Sequence, residues 1–418
     1  MGKSKIGTFG KVLIKFTSSQ VIYNGLKMIA GFLVVRLIAP EIYGAFSGVG
    51  IFLGYVMLGH FGILSGLRRE LPFQYGNKNE KLVDGLASLG FFVSLVVGSL
   101  SSLVFFTFLI YQLISGTFID VAIYSSFTIV SFFHLLNKGY LPSLFRTTNE
   151  FDKLSKINIV LALVNILSVA LVWQYALLGL CFRAVLLSIV EFGLLYFNRP
   201  ISVGPKWNYQ HAKLLITTGI PIFAVGQVRP LWTTVMNSLI FTLGGPLQFG
   251  YYALVNIING ALGIIPNSIG QVIYPKMSIH YGQGKDVLTI LKGTLKPMIF
   301  QFIVILFVAI TTCLILPVLI PLLLPKYVNG IEAAQWITFL PVVASLGLVN
   351  NIYNVIKRQK WYFISLIIGA FIGAGYSLTM VQMIGFDIIY FAQGMILGTF
   401  IQLVLSLLFL MKLLNHED

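Results

Sequence analysis

Apolar residues run through this chain in long blocks, each bounded by a short polar or basic stretch. A helix needs about 20 apolar residues to cross the hydrocarbon of a bilayer. Twelve such blocks can be marked out, at 16–39, 45–66, 85–111, 117–141, 157–173, 175–197, 214–242, 249–273, 290–322, 331–354, 361–382 and 387–412. The fifth and sixth are separated only by Trp173-Gln174-Tyr175, and the seventh and ninth are long enough to tilt or bend. Inside the blocks, polar side chains recur at helical spacing, which puts them on one side of a helix. Gln20, Asn24, Lys27 and Gly31 form such a stripe on the first span. Arg229, Thr233 and Asn237 do so on the seventh, and Asn256, Asn259, Gly263 and Asn267 on the eighth. Pro230 directly follows Arg229, and Pro221 comes a little earlier. Proline removes a backbone donor, so the seventh span is expected to bend near its charge.

Composition supports this pattern. The 418 residues are 57% hydrophobic and only 10% charged, with a mean hydropathy of +0.90, whereas soluble domains carry roughly 25% charged residues. The fold class is all-α integral membrane, without a sizeable soluble domain. In a soluble protein a net charge of +15 would point to nucleic acid. Here the cations lie mostly in short loops, so topology accounts for them and no nucleic-acid partner is expected. Placing the N-terminus inside puts 22 of the 28 cations on the inner side and 2 in outer loops, with four left inside spans. By the positive-inside rule both termini are then cytoplasmic. The basic start (Lys3, Lys5, Lys11, Lys15) precedes an apolar run too long for a signal peptide and without a small-x-small cleavage site, so it reads as the first span. Cys181 and Cys313 lie in apolar runs and read as small core residues, with no disulfide or metal spacing.

A repeat is also present. Pro40-Glu41-Ile42-Tyr43-Gly44 aligns with Pro246-Leu247-Gln248-Phe249-Gly250 at an offset of 206, and at the same offset Gln74-Tyr75-Gly76 meets His280-Tyr281-Gly282. With six spans per half, both halves have the same orientation, related by an axis along the membrane normal. The expected division is an N-terminal bundle at 1–205 and a C-terminal bundle at 206–418, joined through the inner loop from Asn198 to Lys213. Repeats of this kind mark alternating-access transporters, whose site lies between the halves.

The most informative residues are charges at mid-span. Lys27, Arg183 and Arg229 fall near the middle of spans one, six and seven, where each costs about 2.5–3.5 kcal/mol on an insertion scale. They should therefore face a cavity or a partner, and several cations with one deep carboxylate, Glu191, suit an anionic substrate. Glu191 is the residue available for ion coupling. Arg183 and Glu191 are eight residues apart, about 12 Å along a helix, too far for a direct pair; Lys27 could pair with Glu191 or with a backbone carbonyl. Lys138, near the inner end of the fourth span, reads as snorkelling to the interface. Two readings stand for the asparagines, interhelical hydrogen bonding or sugar contact. His60 and His134 read as satisfied interior or interfacial residues. Arg68 and Arg69 anchor the inner interface and could greet a phosphate entering from the cytoplasm. No P-loop, metal-ligand spacing or activated nucleophile occurs, so neither an enzyme nor a bound cofactor is expected.

The corner Arg36-Leu37-Ile38-Ala39-Pro40-Glu41-Ile42-Tyr43-Gly44-Ala45-Phe46, the run Gly59-His60-Phe61-Gly62-Ile63 and the elbow Arg68-Arg69-Glu70 resemble the opening of bacterial polysaccharide flippases of the Wzx type. These belong to the MOP superfamily, with the MATE exporters and the lipid II flippases. The resemblance implies twelve helices in two six-helix bundles in the bacterial inner membrane. It also implies movement of an undecaprenyl-pyrophosphate-linked oligosaccharide from the cytoplasmic to the periplasmic leaflet, for O-antigen or a related polymer. Such flippases have a cationic central cavity, for which Lys27, Arg183 and Arg229 are the candidates. Gln20, Asn24, Thr233, Asn237, Asn256 and Asn259 would add polar lining. Proton or sodium antiport, membrane lipids, a polysaccharide polymerase and a chain-length regulator complete the expected partners. The competing readings are a MATE-like drug exporter, which should show deep carboxylates, a lipid II flippase, which usually has fourteen helices, and a non-transporting assembly partner of a polymerase.

Overall fold

The computed structural model describes the backbone at residues 3–356 and 358–414, and side chains there apart from 3–18, 21, 265, 267, 268, 271, 272, 275 and 276. Asn267, expected on the stripe of the eighth span, lies outside the described side chains. Almost every described residue is helical, as it must be where no water can satisfy backbone groups. Eight helices are, among the described residues, long and apolar enough to cross a membrane. Two of the longest continuous helices conceal a reversal. Ala176 (φ 48°) splits Val169–Phe197, and Gly245 (φ 74°) splits Tyr209–Tyr251. Cutting at these two points and joining the broken segments gives the twelve spans of the sequence pattern. They are Lys3–Leu37, 40–76, Glu80–Ser115, Phe118–Thr147, 151–175, 177–197, 209–244, 246–282, Val287–Leu323, Pro325–Val355, Gln359–Ile384 and Ile388–Leu414.

Helix starts carry the caps that the first-turn N–H groups need. Thr117 and Asp120 form a reciprocal capping box opening the fourth span. The Asn79 side chain accepts from Leu82 N at 3.4 Å, and Asp286 accepts from Thr289 N at 3.0 Å. Hydrogen bonds from Thr289, its hydroxyl and its N–H, hold the Asp286 carboxyl below its ordinary range.

Two spans expected as continuous helices are broken. The second runs as Pro40–Gly50, Phe52–Val56 and Ile63–Gly76, with Phe61 and Gly62 at positive φ between the last two. The buried His60 ring closes this gap: its Nδ1 accepts from Gly62 N at 3.1 Å and it lies edge-on to Phe223 at 4.9 Å. The tenth span alternates 3₁₀ and α turns from Pro325 to Val355. An apolar run conceals such breaks because hydropathy records depth, not backbone pairing.

Residues 1–38 with 49–227 form one compact unit, and 39–48 with 228–418 form the other. The expected division fell at 205/206, and close backbone packing explains the different grouping. In the first unit, the start of the seventh span lies against the second, with Gly66 backed by the Leu215 carbonyl and Gly219 by that of Gly62. In the second unit, a Cβ at Gly44 would collide with the Pro246 carbonyl, and one at Gly250 with the Pro40 carbonyl. The two repeated corners therefore pack reciprocally. Spans eleven and twelve join in the same manner. Gly369 and Gly373 face Gly398 and Gly394, a G-x-x-x-G on each helix, and small residues let membrane helices approach backbone to backbone.

Candidate functional site: two groups of polar side chains within the spans

The first group lies in unit one. Span one packs against the fifth and sixth helices, which leaves Asn24 and Lys27 on its open side and Gln20 half-buried. The Lys27 ammonium feels the charges of Lys138, Glu191 and Arg183, and it makes no direct bond among the described residues. Lys138 is the addition that the sequence did not reveal. Instead of snorkelling outward, it pairs with Glu191, its Nζ donating to both carboxylate oxygens at 2.7 and 2.6 Å. It sits in a π-helical turn, Leu136–Tyr140, a local widening that recurs at functional sites. The neighbouring Asn137 donates from Nδ2 to the Ser188 carbonyl at 2.9 Å, clamping the turn to the sixth span.

Arg183 has a partner on the fifth span. Arg183 Nη2 donates to Asn165 Oδ1 at 3.0 Å, and Asn165 is itself oriented by donating to the Leu161 carbonyl at 3.1 Å. Lys27, Lys138 and Arg183 thus share one neighbourhood with Glu191, so positive charge predominates there among the described residues. Arg68 and Arg69 are exposed on Ile63–Gly76. Arg146, not singled out from the sequence, lies near enough for its like charge to bear on Arg68.

The second group lies in unit two. Arg229 Nη2 donates to Gln402 Oε1 at 3.0 Å, a neutral partner on the twelfth span. Its backbone carbonyl accepts from the Thr233 hydroxyl at 3.1 Å. Arg229, Trp232, Thr233 and Asn259 line a cavity of about 330 Å³ with Pro341 and Thr399. Trp232 Nε1, Asn237 Oδ1 and Gln402 Nε2 are buried there or close by without a partner among the described residues. Asn256 is exposed rather than enclosed. No group of three or more His, Cys, Asp or Glu that could hold a metal occurs among the described residues.

Comparison with solved structures identifies the architecture. An inward-facing multidrug resistance transporter of the MATE family aligns with a TM-score of 0.77 at 15% identity, over 92% of this chain and 93% of its own. The outward-facing conformation of a MATE transporter aligns at 0.65 and 14% identity, over 96% and 94%. A MOP superfamily transporter from Pyrococcus furiosus, reported with a binding pocket of reverse polarity suggesting a different function, aligns at 0.59 and 14%, over 95% and 92%. The fold is therefore that of the MOP superfamily, twelve helices in two bundles. Residues 33–326 match the family described as polysaccharide biosynthesis protein, and the chain belongs to that family. No curated protein matches it at a significant level.

Proposed function

We propose that this chain flips an undecaprenyl-pyrophosphate-linked oligosaccharide from the cytoplasmic to the periplasmic leaflet of a bacterial inner membrane by alternating access, with both termini in the cytoplasm. O-antigen or a related surface polymer is the destination of the cargo. The observation that carries this reading is the sign of the deep charge. Among the described residues, three cations lie around Glu191 in unit one, and the guanidinium of unit two rests on a neutral amide. A pyrophosphate and its sugars cannot enter hydrocarbon unaided, because stripping water from charge costs many kcal/mol. Lysine and arginine side chains substitute for that water, and asparagine and threonine groups offer hydrogen bonds to sugar hydroxyls. Coupling to H⁺ or Na⁺ would fall to Glu191. An exporter of cationic drugs would need the opposite surplus, so the MATE-like fold does not carry MATE-like cargo here.

Arg183→Ala and Arg229→Ala should each lower surface polysaccharide at least tenfold and make lipid-linked oligosaccharide accumulate, while the protein still reaches the membrane in normal amount. Normal polymer output from both variants would overturn the assignment.

A further inference from the structure

A second cavity, of about 730 Å³, lies within unit two between the eighth and ninth spans. This is within the range of small-molecule sites. On the eighth span its wall is Ile269, Ile273 and Met277, ending at His280; on the ninth it is Thr289, Gly293, Pro297 and Phe300. Both sets follow i, i+4, i+8, i+11, so the groove extends about 16 Å along the helices. One end is apolar. The other carries His280 and Lys285 beside the Gln283-Gly284 turn, which the cation distribution assigns to the cytoplasmic side.

We propose that this groove holds one anionic phospholipid of the inner leaflet, an acyl chain along the apolar walls and the phosphate at His280 and Lys285. Charge complementarity selects the occupant. A cation between helices at the cytoplasmic interface, here the Lys285 ammonium with the His280 ring beside it as a hydrogen-bonding group, meets lipid phosphate at its own depth. Asp286, the nearest acidic neighbour of Lys285, is occupied with its own helix, accepting from Thr289 N. The Thr294 hydroxyl is likewise engaged with the Leu291 carbonyl at 2.7 Å, so the walls offer little to a sugar. Gly293 keeps the groove open: a Cβ built there meets nothing within 4 Å, so a side chain at this position starts out into the groove. This inference does not depend on the flippase reading.

The test is native mass spectrometry of the full-length protein in mild detergent with added phosphatidylglycerol, phosphatidylethanolamine or undecaprenyl phosphate. Wild type should retain one phosphatidylglycerol at least fivefold more readily than phosphatidylethanolamine. Gly293→Phe should abolish that retention, and His280→Gln with Lys285→Gln, surface changes that leave the groove unfilled, should reduce it to the phosphatidylethanolamine level. Unchanged retention in either variant, or no preference between the two phospholipids, would overturn the proposal. So would displacement of phosphatidylglycerol by equimolar undecaprenyl phosphate, which would assign the groove to a polyprenyl tail. Polysaccharide output is read separately; a normal output with the lipid lost leaves the flippase reading intact.

Discussion

Lys138 shows how much one backbone detail can do. In a regular α-helix, consecutive side chains point about 100° apart, yet Asn137 and Lys138 both reach the sixth span, at Ser188 and Glu191. The π-helical turn makes this compatible by redistributing residues around the axis. The resulting pair is partly screened, with side-chain exposures of 43% and 16%. Its loss should fall between the values for exposed and buried pairs, about 1–2 kcal/mol. Lys138→Met should therefore lower the thermal midpoint in detergent, and adding Glu191→Gln should restore most of it. Polysaccharide output should stay low in the repaired double variant, because the cation and the carboxylate proposed for coupling are both missing. Recovery of output along with stability would show that the lysine serves only to neutralise Glu191.

At the scale of elements, the reciprocal corners carry the sharpest expectation. Gly44→Ala and Gly250→Ala each push a methyl into a proline carbonyl, and overpacking of this kind costs about 1–3 kcal/mol. Thermal unfolding should place both variants well below a control such as Gly375→Ala, where a Cβ meets nothing within 4 Å. The element pattern was largely legible in the sequence, because length and hydropathy alone decide where a helix crosses lipid. The turn between the fifth and sixth spans falls at Ala176, one residue beyond the expected separator. The breaks at Phe61-Gly62 and through the tenth span were not legible, since they depend on which backbone groups find partners such as the His60 ring. The mid-span cations could be found by depth, but their partners could not. Nothing in the spacing ties Lys138 to Glu191, Arg183 to Asn165 or Arg229 to Gln402, which are brought together only by packing between helices.

For the whole molecule, the uneven distribution of cations gives the expected orientation, with both termini in the cytoplasm. Substituted-cysteine labelling should reach position 326 from outside the cell and position 206 only from inside; the reverse pattern would invert the topology. The grouping of 39–48 with the C-terminal unit has a further consequence. The corner of each repeat is completed by the corner of the other, Gly44 against Pro246 and Gly250 against Pro40. A contact in which residue i meets j while j's counterpart meets i's is the signature of a two-fold dimer interface. Each corner thus finds its mate in the other repeat, and neither is complete once its counterpart is taken away.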